Sequence, residues 1–297
     1  MGQEMLTLLP SEMETPELHG FLLGAIGPRP IAFASTVDAA GTPNLSPFSF
    51  FNVFSANPPV LIFSPARRVR DNTEKHTLEN VREVPEVVIN TVSYAMVQQM
   101  SLSSTEYPRG VNEFVKAGFG MEPSRKVRPF RVSGAPAQFE CEVTEIRPLG
   151  QQGGAGNLVF CQVVALHLDR AVLDAEGRPD PAKQDLVARM GGDWYSRSAS
   201  GLFEVPKPLR NLGIGMDLMP EGIRSSTILT GNDLGLLGNV EALPQTEEVA
   251  AFLESAPEAS ALLEGGSTEK VHQAARRYLA GNDVSSAWKI LLAWEHR

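Results

Sequence analysis

The chain has 297 residues, 42% hydrophobic and 21% charged, and its 26 basic against 35 acidic side chains give a formal charge of −9. That length suits one domain of roughly 200 residues with an appendage, or two domains. The acidic balance excludes nucleic-acid binding as a main role, because a phosphate backbone is held by a broad cationic surface. With 2 cysteines, a disulfide-stapled secreted fold of this size is excluded as well. The N-terminal residues carry acids where a secretory leader carries bases, and no run reaches the ~18 apolar residues that span a bilayer. The expectation is a cytoplasmic protein with no membrane partner.

In chain order, the first two-thirds read as strands and turns. Residues 29–37 alternate, with Ile31, Phe33, Ser35 and Val37 on one face, the period of a half-buried strand. Asp38, Gly41, Pro43 and Asn44 supply turn chemistry after it. Residues 45–54 follow as a second strand, which Pro47 marks as an edge or a bulge. Residues 60–64 and 86–92 read as shorter strands, and short helices are predicted over 77–82, 94–101 and 112–117. Two long β-rich runs cover 137–148 and 157–170. Phe139, Cys141, Val143 and Ile146 share a face of the first, and Val159, Cys161 and Val163 share a face of the second. The glycine-rich stretch 149–156 between them reads as a hairpin loop. Hairpins with few intervening helices predict a mainly β, antiparallel barrel and not a βαβ sheet.

Pro206-Lys207-Pro208 resists regular structure and predicts a linker. Beyond it the period becomes helical. Val271, Ala274, Ala275, Tyr278 and Leu279 form one apolar stripe, and Val284, Ala287, Trp288, Leu291 and Leu292 form another. Gly281 ends the first of these helices, and Asn282 or Asp283 caps the second.

Elimination narrows the chemistry. The 5 histidines show no metal-ligand spacing and the cysteines no C-x-x-C, so no metal is expected. There is no P-loop and no G-x-S-x-G elbow, and the G-x-G at Gly213 and Gly215 has Leu218 in its third glycine position. An enzyme with none of these takes its chemistry from a cofactor.

The segment Gly27-Pro28-Arg29-Pro30-Ile31-Ala32, then Ser35-Thr36, the turn 41–44, and Ser46-Pro47-Phe48-Ser49-Phe50-Phe51-Asn52 closely resemble the flavin reductase-like family. These are FMN-binding split-barrel proteins related to flavoredoxin-type electron carriers. Lys75-His76-Thr77-Leu78-Glu79-Asn80-Val81 resembles that family's phosphate segment, and Val88-Ile89-Asn90 its following strand. Ser103-Ser104, Gly110, Asn112-Glu113-Phe114, residues 163–167 and Arg189-to-Tyr195 match further motifs in order. The likeness spans roughly residues 20–208 and divides the chain into an N-terminal arm (1–19), a split-barrel domain (20–208) and a helical C-terminal extension (209–297). Two departures stand out: His76 occupies a position that is usually Asp, and the insert 67–72 is longer than usual.

The resemblance implies a Greek-key antiparallel barrel with short flanking helices, a homodimer with FMN at its interface, and NAD(P)H as transient electron donor. Lys75, His76 and Thr77 open a short helix whose N-terminus suits the phosphate, with Arg68 or Arg70 as a bidentate clamp. Ser46, Ser49 and Asn52 offer donors to the flavin ring, with Phe50 and Phe51 packing beside it. Arg29, Thr36, Ser103, Ser104 and Tyr195 complete the implied flavin-binding set. No catalytic side chain is assigned, because the flavin carries the chemistry. A non-catalytic FMN carrier and a flavin-free ligand-binding or scaffold dimer remain alternatives. His167, the hairpin 151–156 and both cysteines read as structural.

Overall fold

Pro16 sits in the first turn of helix α1 (Thr15–Ala25), where its missing N–H costs nothing. The computed structural model describes residues 4–205 and 212–297, and in it α1 runs across the expected arm boundary at residue 19 with none of its residues buried. The chain then enters β1 (Ala32–Val37), whose six residues are all buried. Alternation therefore separates two interiors rather than core from solvent. Ala32 and Ala34 pack with Phe63, Leu78 and Ile89, and Phe33 packs with Leu45, Met100 and Phe114.

The expected second strand is in fact two. β2 (Pro43–Phe48) and β3 (Phe51–Ala56) are separated by Ser49 and Phe50, and the Ser64 N–H donates to the Phe50 carbonyl at that corner. Next come β4 (Pro59–Phe63), α2 (His76–Glu83), β5 (Glu86–Asn90), α3 (Val97–Leu102), α4 (Glu113–Ala117), β6 (Met121–Glu122) and β7 (Arg131–Val132). The long hairpin β8 (Ala137–Pro148) and β9 (Asn157–Leu168) follows, then α5 (Pro181–Gln184), β10 (Val187–Arg189) and β11 (Tyr195–Arg197). Seven strands form one antiparallel sheet in the order β2-β1-β5-β8-β9-β4-β3. Its two edge strands, β2 and β3, are joined by only two residues, so the sheet must curl until those edges meet at one corner. Among the described residues no ladder pairs β2 with β3. Pro47 lies on an edge strand, where its missing donor breaks no ladder. Cys141 and Cys161 are free and buried, and burial pushes both thiols up.

The chain divides into two compact units, Met1–Phe203 and Glu204–Arg297. The linker expected at 206–208 falls outside the described residues. The second unit contains α6 (Glu221–Arg224), α7 (Gly231–Gly238), α8 (Thr246–Ser255), α9 (Pro257–Gly265), α10 (Thr268–Ala280) and α11 (Val284–Glu295). The two stripes meet as an α10–α11 hairpin: Val271, Ala274, Ala275 and Leu279 are buried with Ala287, Trp288, Leu291 and Leu292. Asp283 caps α11 by accepting from the Ser286 N–H, and the Trp288 ring donates to the Leu237 carbonyl. Among the described residues no helix is long and apolar enough to cross a membrane.

His272 makes this helical unit sensitive to acid. The Ser226 hydroxyl oxygen accepts from the N–H groups of Ile228 and Leu229, so its own proton is free to donate to His272 Nδ1, 2.7 Å away. The ring is then neutral with its hydrogen on Nε2, which is buried without a partner among the described residues. Burial lowers the His272 pKa below 6.5, against the opposing field of Glu295. An unfolded chain therefore binds this proton more readily than the folded one. Full stability is expected above pH 6.5, with progressive loss as the pH falls toward the depressed folded value. Urea unfolding followed by tryptophan emission should show a lower midpoint at pH 5 than at pH 7.5, and His272→Asn should flatten that difference.

Candidate functional site

The site begins in a buried polar network under the first turn of α2. Asn44 Oδ1, on β2, accepts from the hydroxyls of Thr77 at 2.8 Å and Thr36 at 3.4 Å, while Asn80 donates to Thr36 at 3.1 Å. Glu113, at the start of α4, is also buried and accepts the Leu45 N–H at 3.0 Å. Burial raises the Glu113 carboxyl, and the Leu45 N–H and Asn44 side chain offset only part of that. Satisfied networks of this kind fix one arrangement of the elements they join; here they pin α2 and α4 to β2. Lys75 holds the N-cap position of α2 without a side-chain cap. The Leu78 N–H donates to the Lys75 carbonyl at 2.9 Å, which leaves the N–H groups of His76 and Thr77 to face an anion.

Above this turn lies a cleft lined by Asn44, Ser46, Arg68, Lys75, His76, Thr77, residues 103–107 and Glu113. Two cations point into it. Arg68 donates from Nη1 to Thr73 Oγ1 at 2.8 Å, which orients the guanidinium, and from Nε to Glu106 at 3.0 Å. Lys75 Nζ lies 3.4 Å from the same carboxylate, and Arg70 reaches its other oxygen. Burial alone would raise Glu106, but the hydrogen bonds from Arg68 and Arg70 and the charge of Lys75 hold it below the usual carboxylate range.

A second cleft, of about 150 Å³, continues along the same strand. Pro47, Phe48 and Ser49 form one wall and Met100, Ser101 and Ser104 another, with Ile31, Arg189 and Tyr195 closing it. The Arg189 guanidinium sits 4.7 Å from the centre of the Tyr195 ring. Ser104 lines both clefts. The pair forms one strip along β2, cationic at one end and mixed at the other, where Phe48, Met100 and Tyr195 stand beside serines and Arg189.

The model of the flavin reductase like domain matches residues 25–182. The chain belongs to that family. An uncharacterized protein of Aquifex aeolicus is 34% identical over 187 residues, covering 63% of this chain and 93% of the relative. Among solved structures, nitrilotriacetate monooxygenase component B from Bacillus cereus superimposes with a TM-score of 0.64 at 27% identity, covering 69% of this chain and all of that one. The 2-nitrobenzoate 2-nitroreductase NbaA of Pseudomonas fluorescens gives 0.61 at 25% identity, covering 70% of this chain and all of its own.

In this flavin reductase-like chain, Ser46, Arg68, Lys75, His76, Thr77, Ser103 and Ser104 converge on the first cleft, and Ser49, Ser104 and Tyr195 on the second. Five other expected residues lie elsewhere. Arg29 is turned inward, where its guanidinium donates to the carbonyls of Leu23 at 2.6 Å, Ile26, and Met190 at 2.9 Å. It clamps the end of α1, and its Nε also donates to Ser49 Oγ at 3.4 Å, so it backs the second cleft through Ser49 without lining either cleft. Thr36 is fully buried beneath the first cleft and supports Asn44. Phe50 stands at the sheet corner against His19, Phe51 packs into the core, and Asn52 is exposed with Oδ1 accepting its neighbour's N–H. The cause is the break at Ser49–Phe50, which sends these three toward the opposite sheet edge.

The sequence reading missed Asn44 as more than a turn residue, and missed Met100, Glu106, Tyr107 and Glu113 as cleft-lining residues. Glu106 stands two residues after the Ser103-Ser104 motif, but a carboxylate has the wrong sign for an anion site and gave no signal. His167 Nε2 donates to the fully buried Glu140 carboxylate at 2.6 Å, a satisfied pair away from both clefts.

Proposed function

We propose that the strip along β2 holds FMN and that the protein is an NAD(P)H-dependent, flavin reductase-like oxidoreductase. The observation that carries this reading is the continuity of the two clefts through Ser104. An elongated ligand with an anion at one end and a flat ring at the other matches that order of surfaces. Arg68, Lys75 and the uncapped first turn of α2 hold the phosphate by charge-assisted hydrogen bonds. Ser46 and Ser104 line the path between the two ends. Phe48, Met100 and Tyr195 provide the apolar wall, and Ser49 and Arg189 its polar edge.

Bound FMN supplies hydride acceptance from the nicotinamide and onward electron delivery. The chain's own residues bind and orient it; no acid–base pair is required of them. The second cleft is shallow for a three-ring system, which favours a homodimer in which another copy covers part of the ring. A nitroreductase among the similar structures supports a reductive role. The test is purification followed by anaerobic titration. A yellow protein that bleaches on addition of NADH or NADPH is the expected result. A coloured protein that neither nucleotide bleaches is an electron carrier instead, and a colourless one whose melting temperature FMN leaves unchanged overturns the cofactor itself.

A further inference from the structure

Three cations share a single carboxylate at the mouth of the first cleft. Glu106 accepts from Arg68 Nε at 3.0 Å and Lys75 Nζ at 3.4 Å through Oε1, and from Arg70 through Oε2. The neighbouring charges are otherwise engaged: Arg67 and Arg82 both bind Glu74, and Asp71 pairs with Arg70 and accepts from Thr73. Glu106 itself stands in a turn between α3 and α4, with its side chain 35% exposed. It thus occupies with one negative charge the place proposed for the flavin phosphate.

We propose that Glu106 is an internal stand-in for the flavin phosphate, which must displace it to bind, and that Glu106 thereby sets the discrimination between phosphorylated and unphosphorylated flavins. This rests on the reading that the first cleft takes a flavin phosphate. A carboxylate and a phosphate dianion cannot both remain within hydrogen-bond reach of Arg68 and Lys75 without strong repulsion. A phosphate offers three terminal oxygens to three donors, whereas a carboxylate offers two, so the exchange favours the phosphate while costing the Glu106 pairs. A turn position that is one-third exposed lets the displaced carboxylate move into water. While the cleft is free of flavin, Glu106 keeps three like charges from repelling one another and preserves their geometry.

The experiment compares FMN and riboflavin affinities of wild-type protein and Glu106→Gln by flavin fluorescence at low and high salt. Glutamine keeps the shape and one acceptor but removes the competing charge. The expected result is FMN binding about tenfold tighter at low ionic strength, with most of that gain lost at about 0.5 M salt and riboflavin affinity unchanged. Glu106→Ala, which also removes the acceptor, should shift FMN in the same direction. Weaker or equal FMN binding in both variants makes Glu106 a positioning group for the cations and overturns the proposal. Equal shifts for FMN and riboflavin mean a rearranged loop and overturn it too. If wild type and variants alike fail to bind FMN, the site reading falls first and this inference with it; FMN bound by wild type with the wrong response to Glu106→Gln removes this inference alone.

Discussion

Replacing Lys75 and Thr77 together with alanine is expected to weaken FMN binding at least about tenfold, with riboflavin affinity much less affected. The two residues act differently. Lys75 contributes a partly exposed ammonium at the cleft mouth, and a hydrogen bond to a charged group is worth about 1.5–3 kcal/mol. Thr77 acts from beneath: its buried hydroxyl donates to Asn44 at 2.8 Å and fixes the first turn of α2, whose N–H groups complete the anion site. Losing that anchor frees the helix start and leaves the Asn44 oxygen with one weaker donor, from Thr36. Since each 1.4 kcal/mol is a factor of ten, Lys75 alone accounts for the stated minimum. Isothermal titration with both flavins, after circular dichroism has confirmed the fold, decides the matter. Unchanged FMN affinity would remove the phosphate assignment, whatever the fate of the ring site.

How much of this was legible in the sequence depends on how far apart the interacting residues lie. The β8–β9 hairpin was legible because its period and glycine-rich loop are local, and its first strand begins and ends at the expected residues, Ala137–Pro148. The α10–α11 pair was legible for the same reason, with Gly281 and Asp283 marking its turn. The break inside 45–54 was not. Ser49 and Phe50 carry no turn signature, and the reversal is imposed by the curl that brings β2 and β3 to one corner. Family motifs named seven residues that line the first cleft, and five, Arg29, Thr36 and the Phe50–Asn52 segment, that line neither cleft. A motif marks which residues a fold retains; whether a side chain faces a ligand or braces the wall behind it is set by packing. Arg29 shows the difference, since its inward guanidinium serves backbone carbonyls 6 and 161 residues away in sequence. Glu140 shows it from the other side. Period-2 reading puts it opposite Phe139 and Cys141, on a solvent face, yet it is fully buried.

That buried carboxylate carries the largest expected stability effect. Glu140 accepts the N–H groups of Arg125 and Lys126, at 2.8 and 2.6 Å, and bonds His167 Nε2 at 2.6 Å. It ties the segment before β7 to the middle of the sheet, next to the bulge between Glu140 and Cys141. Burial by itself would raise its pKa, but the Arg125 and Lys126 N–H groups together with His167 outweigh that and hold it below 4.5. Glu140→Ala removes the acceptor shared by three donors that are themselves only partly buried, so the first unit should lose about 1–3 kcal/mol. The pH dependence follows in sign. A carboxyl whose pKa is depressed by folding contributes its stabilisation above the unfolded value of 4.5, and that contribution disappears as the pH falls through the lower folded value. Wild-type protein should therefore lose urea resistance between pH 5 and pH 3, and Glu140→Gln, which cannot ionise, should lose less over the same interval. Neither variant touches the strip along β2, so the fraction that remains folded should bind FMN with wild-type affinity. Equal urea midpoints for wild type and Glu140→Ala at pH 7 would show that the three bonds to this carboxylate contribute nothing net. Altered FMN affinity in folded Glu140→Gln would show instead that the sheet transmits its bulge geometry to the cleft.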